Sequence, residues 1–111
     1  MMYEIKQKER TIDGVTFPTW ERDVVSCNIL SVEAGTTGPQ GGDSGHGCRT
    51  YFRIKDEAAT DMEIKPTLDR WGTVDGFEVE LGGDTELATM IEALKFIVHV
   101  LEEQECEMHG I

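Results

Sequence analysis

The chain has 111 residues and a mass of 12.4 kDa, enough for a single core. Apolar residues are 39% and charged residues 29%, which excludes a disordered tail, and no apolar run nears the roughly 20 residues that span a bilayer. Twenty-two acids against ten bases give a formal charge of −12, which argues against nucleic acid as a direct partner.

In chain order, Tyr3 and Ile5 alternate with Glu4 and Lys6 as a short amphipathic strand. The amino terminus MMYEIKQKER carries no apolar stretch of the signal-peptide kind, so a cytoplasmic location is expected. Asp13-Gly14 signals a tight hairpin into Val15, Thr16 and Phe17, with Pro18 predicted to interrupt the strand. Asp23 to Ala34 is apolar on both parities and reads as one strand, buried on both faces or bulged midway.

Cys48 to Asp56 alternates cleanly: Thr50, Phe52 and Ile54 share one side, and Arg49, Tyr51, Arg53 and Lys55 share the other. Met62 and Ile64 suggest a short strand closed by Pro66, and Phe77, Val79 and Leu81 another, stopped by Gly82-Gly83. Five or six strands between about 2 and 81, spaced by turn signals, point to an antiparallel sheet or small sandwich.

A long helix follows over about 85–106. Asp84 or Thr85 offers a capping oxygen, and Glu86 puts a carboxylate at the positive end of the helix dipole. Leu87, Met90, Ile91, Leu94, Ile97, Val98 and Leu101 form one apolar ridge; Ala93, Phe96 and Val100 form a second beside it. One sheet does not readily cover both, so self-association into a homo-oligomer is expected, through the helix or a sheet edge. The fold class is α+β in one domain, 1–111.

Charge divides along the chain. Seven acids balance seven bases through Lys55, and all of the net charge lies beyond it. Cys27, Cys48 and Cys106 are too few for a disulfide framework and read as reduced thiols. Cys106 and His109 have half the spacing of a metal site, but no second pair completes it. No cofactor and no metal are called for.

The segment GTTGPQGGDSGHGC, residues 35–48, holds six of the twelve glycines. It is longer than an ordinary hairpin loop, and it reads either as a flexible connection or as a ligand loop whose backbone N–H groups cradle an anion. It lacks the lysine of a Walker loop and the following helix of a dinucleotide fingerprint. Gly42-Asp43-Ser44-Gly45 is like the nucleophile stretch of trypsin-like proteases, but His46 replaces the next glycine and the chain is too short for that fold. Asp43, Ser44 and His46 are too close in sequence to face one another as a triad. The chain is therefore read as non-enzymatic.

The loop leads into the polar side of the next strand. Arg49 and Arg53 could fork onto phosphate, Tyr51 could stack on a base, and Asp43, Ser44 and His46 could orient polar groups. The competing reading pairs Arg49 and Arg53 with Glu78 and Glu80 across the sheet.

The stretch GTTGPQGGDSGHGCRTYFRI resembles small proteins of phages and prophages of Gram-positive bacteria. More distantly, a small β-rich chain that self-associates is similar to the phage nucleotide sponges that defeat signalling defences, such as the Thoeris anti-defence proteins. That resemblance implies sequestration of a cyclic nucleotide without cleavage, at pockets shared between protomers in the host cytoplasm. The acidic second half suits another phage class, anti-CRISPR-like inhibitors that imitate nucleic acid and block a basic groove. The sequence thus predicts a binding protein for a small phosphorylated ligand at Asp43, Ser44, His46, Arg49, Tyr51 and Arg53. The alternative is an acidic inhibitor of a basic protein, acting through Glu78, Glu80, Asp84, Glu86 and the glutamates after Leu101.

Overall fold

The computed structural model describes the backbone of residues 5–109 and the side chains of residues 5–105. Four strands form an antiparallel meander: β1 (Lys6–Ile12), β2 (Val15–Val25), β3 (Ile29–Thr36) and β4 (Thr50–Ala58). Strands β5 (Met62–Leu68) and β6 (Val74–Leu81) make a separate antiparallel hairpin, and helix α1 (Asp84–His109) closes the chain. The architecture is α+β, as the sequence pattern implies. No helix is long and apolar enough to cross a membrane among the described residues.

Asp13 and Gly14, with φ of 51° and 79°, make the two-residue turn that sets Ile12 opposite Val15. Pro18 does not end β2. Pairing with β3 begins only at Trp20 opposite Ala34, so on that side no ladder bond is asked of the proline. The single strand expected over Asp23–Ala34 is instead two, because Ser26, Cys27 and Asn28 reverse the chain between β2 and β3. Pro66 is likewise tolerated inside β5, which pairs on one side only. β1 begins at Lys6, and Tyr3 and Glu4, on which the expected first strand largely falls, lie outside the described residues.

Alternation then decides the two faces of the large sheet. Trp20 and Val24 of β2, with Leu30, Val32 and Ala34 of β3, turn toward α1 and meet Ala93, Phe96, Ile97 and Val100. This is the core, and it uses the second ridge of the helix together with Ile97 of the first. Two side chains tie its margins. Asn28 donates to the hydroxyls of Thr60 and Thr89, each at 2.9 Å. Gln104 accepts from the Thr36 N–H at 2.9 Å and donates to the Pro18 carbonyl at 3.0 Å.

The helix is capped differently from the sequence expectation. Gly83 accepts the first helical bond, from the Leu87 N–H, and Thr85 donates to the Glu86 carboxylate instead of capping a backbone group itself. Glu86, at the third helical position, turns back over the helix start and accepts from the Asp61 N–H, a donor outside the helix in place of the N-cap N–H that a capping box would use. These bonds hold its carboxyl below the ordinary value, with the Asp61 N–H foremost.

Beyond the core the hairpin stands as an arm. Met62, Ile64, Pro66, Leu68, Phe77, Val79 and Leu81 fall on one side of it, and Glu63, Lys65, Glu78 and Glu80 on the other. The radius of gyration is 15.6 Å, against roughly 13 Å for a close-packed chain of this length.

Candidate functional site

The face of the large sheet away from α1 is polar and uncovered. Its strand register sets Lys6, Lys8 and Arg10 of β1 beside Thr19 and Glu21 of β2, then Ser31 and Glu33 of β3, then Tyr51, Arg53 and Lys55 of β4. At its centre Glu33 is fully buried, which an ion tolerates only when its oxygens are met by donors. They are met well. Arg10 donates Nε to Oε2 at 2.9 Å and Nη2 to Oε1 at 2.7 Å, a bidentate fork. Thr19 donates its hydroxyl to Oε2 at 2.6 Å, and Arg53 Nη1 lies 3.2 Å from Oε1.

One carboxylate therefore holds two guanidinium groups. The hydrogen bonds from Arg10 lower the Glu33 pKa against the opposing effect of burial, with Thr19 and the charge of Arg53 adding to them. Arg10 is raised in return, chiefly by its bond to Glu33. Arg53 continues the network, donating to Glu21 Oε2 at 2.9 Å and Ser31 Oγ at 2.8 Å, and Lys8 stands 3.6 Å from the other Glu21 oxygen. The partners of Arg53 are thus Glu21 and Glu33. The expected pairing with Glu78 and Glu80 is not made, because β6 belongs to the separate hairpin.

Tyr51 lies beside this network with the Arg10 guanidinium 4.8 Å from its ring centre, so one side of the ring carries a cation. Arg49, at the head of β4, reaches Asp13 at 3.3 Å and donates to the Gly47 carbonyl at 3.0 Å. Six of the ten bases of the chain stand on this face: Lys6, Lys8, Arg10, Arg49, Arg53 and Lys55. Against them, among the described residues, are Glu21, Asp23 and Glu33, with Asp13 and Glu57 reaching in at the margins. The face is near balance while the chain as a whole is strongly negative.

The glycine-rich loop is folded. Thr37 N–H donates to the Arg49 carbonyl and Arg49 N–H to the Thr37 hydroxyl, which closes its neck. Gly42 and Gly47 press together: a β-carbon on Gly47, where φ is 87°, would lie 2.6 Å from the Gly42 carbonyl oxygen. Asp43, Ser44 and His46 are exposed at the far end. Among the described residues no hydrogen bond links their side chains to Arg49, Tyr51 or Arg53, so the loop and strand halves of the predicted site are adjacent but not joined.

Arg10, Glu33, Lys8 and Glu21 were not singled out by the sequence. The alternation of Lys6, Lys8 and Arg10 is the signal that could have found the β1 contribution. Cys27 and Cys48 are unbridged. Cys106 and His109 lie beyond the described side chains, and among the described residues no three His, Cys, Asp or Glu side chains converge as a metal site. Comparison with protein-family models, with curated proteins and with solved structures finds no match.

Proposed function

We propose that this is a non-enzymatic binding protein that holds a small phosphorylated, nucleotide-like ligand on the open face of the large sheet. The observation that carries the reading is Glu33, which fixes Arg10 and Arg53 side by side; with Lys8 they set three cations against the two carboxylates Glu33 and Glu21. Guanidinium groups already held in place lose little freedom when a phosphate arrives. Tyr51 supplies a ring at the same place, and Arg49 a third guanidinium toward the loop. In this reading Asp43, Ser44 and His46 form the rim of the site and contact the sugar or base from the loop. Sequestration of a nucleotide signal is the role that the phage resemblance would give such a site.

Thermal-shift titration with cyclic and linear nucleotides, and with inorganic phosphate as a probe, tests the proposal. Binding raises the melting temperature as ligand exceeds its dissociation constant, and Arg49→Ala and Tyr51→Ala weaken the shift. No shift with any of these probes overturns the reading.

A second reading, an acidic surface for a basic protein, is favoured by a different observation. Glu63 stands directly opposite Glu80 on the polar side of the hairpin, and Lys65 is shared between them at 3.7 and 3.6 Å. Like charges placed opposite one another cost stability, and a basic partner would relieve them. Glu78 lies beside them, whereas Glu86 is occupied at the helix start. Retention on a polylysine matrix that is lost at high salt, and weakened by Glu78→Gln with Glu80→Gln, supports this surface; no retention removes it.

A further inference from the structure

The outer part of the first apolar ridge of α1 is left uncovered by the fold, while Ile97 enters the core and Met90 and Leu101 pack against it. Leu87, Ile91, Leu94 and Val98 are 42–61% exposed, and they recur at steps of four, three and four, with Leu101 three further on. That spacing is the seam of a coiled coil, in which a helix packs against another copy of the same pattern. The ridge is continuous with the apolar side of the hairpin: Met90 and Leu94 of the helix, Phe52 and Ile54 of β4, and Ile64, Phe77 and Val79 of the arm line one open cleft of about 760 Å³.

We infer that this cleft and ridge form the contact between two copies of the chain, related by a two-fold axis that sets ridge against ridge and each hairpin arm over its partner. Three observations select a second copy as the occupant. Ridge, arm and Phe52 leave ten large apolar side chains 38–64% exposed on each protomer, enough to build an interface of the roughly 800 Å² per partner that stable contacts bury. The helix spacing is self-complementary, as a two-fold contact requires. Among the described residues no carboxylate lines the cleft although each chain carries −12; the hairpin glutamates face the other way, so two copies can meet there without opposing charge.

The arm supplies a further reason. An isolated two-stranded hairpin is marginal in water, and this one exposes Phe77, Val74 and Leu68 by 58–64%. A partner's ridge laid against it would provide the missing cover. The contact lies mainly on the helix side of the sheet, although Tyr51 and Arg53 of β4 also border the cleft; Leu94 and Phe77 are not among the ligand-site residues, so variants there test pairing apart from ligand binding.

Light scattering on the full chain, at tens of micromolar, reads the result directly. A particle of twice the 12.4 kDa chain mass is expected, and it persists at high salt because apolar contact outweighs screened repulsion. Leu94→Glu halves the mass while circular dichroism stays native; Glu92→Gln changes neither. If Leu94→Glu does not fold, Phe77→Glu on the arm decides, since the core does not use it: a folded variant of single-chain mass supports the pairing. Wild-type protein of single-chain mass, or a folded variant that keeps the paired mass, overturns it.

Discussion

Gly35 and Thr19 approach so closely across β3 and β2 that no side chain fits between them. A β-carbon on Gly35 would stand 2.6 Å from Thr19 Cγ2 and 2.6 Å from the Pro18 carbonyl oxygen. The approach holds Thr19 in place, and its hydroxyl is the neutral donor to the buried Glu33 carboxylate. Gly35→Ala is expected to destabilise the protein by roughly 1–3 kcal/mol through overpacking, read as a fall of several degrees in the thermal midpoint. An unchanged midpoint would show that β2 yields at no cost.

Glu33→Gln keeps the shape of the centre but leaves two guanidinium groups facing one neutral amide. A loss of about 2 kcal/mol is expected in denaturant titration at neutral pH, discounted from the value for a fully buried pair because both arginines are partly exposed. The pH dependence has a definite sign. The folded-state pKa of Glu33 lies below its ordinary 4.5, so its stabilisation is complete above that value and disappears as pH falls through the lowered one. The variant loses this part of the acid transition, which a comparison of the two proteins between about pH 3 and pH 7 would detect.

Asn28 joins three parts of the chain that are far apart in sequence, through Thr60 and Thr89. Asn28→Ala leaves both hydroxyls without that donor and is expected to cost about 1–3 kcal/mol. Hydrogen exchange should quicken first at the start of α1 and in the β4–β5 connection. Uniform quickening across the sheet would mean that Asn28 acts on global stability alone.

Lys65 is the cation shared by Glu63 and Glu80. Lys65→Ala is expected to loosen the hairpin by about 0.5 kcal/mol, seen as faster amide exchange in β5 and β6, and roughly 0.5 M salt should recover most of the difference by screening. Loss that salt does not recover would point to the lysine's aliphatic stem as the source.

Much of the fold is legible from period alone. Thr50, Phe52 and Ile54 turn to the helix side and Arg49, Tyr51 and Arg53 to the other, as their alternation requires, and both ridges of α1 are visible in its spacing. The ridge that the sheet covers is not, since only the packing of Leu30, Val32 and Ala34 decides it. The Asn28 reversal was hidden because Ser, Cys and Asn among β-branched residues carry a weaker turn signal than Asp13-Gly14. The site was half visible. Local sequence marks Arg53 and Tyr51, but the carboxylate that organises them is twenty residues upstream and becomes their neighbour only through strand pairing.

The uneven placement of charge has a consequence for how this molecule meets others. With most bases on the bare side of the sheet and most acids on the helix and arm, the chain carries a large permanent dipole moment, and an approaching charged body exerts a torque on it before contact. An anion brought near would be turned toward the bare side and a polycation toward the opposite side, and a charged support would capture the protein in one consistent pose.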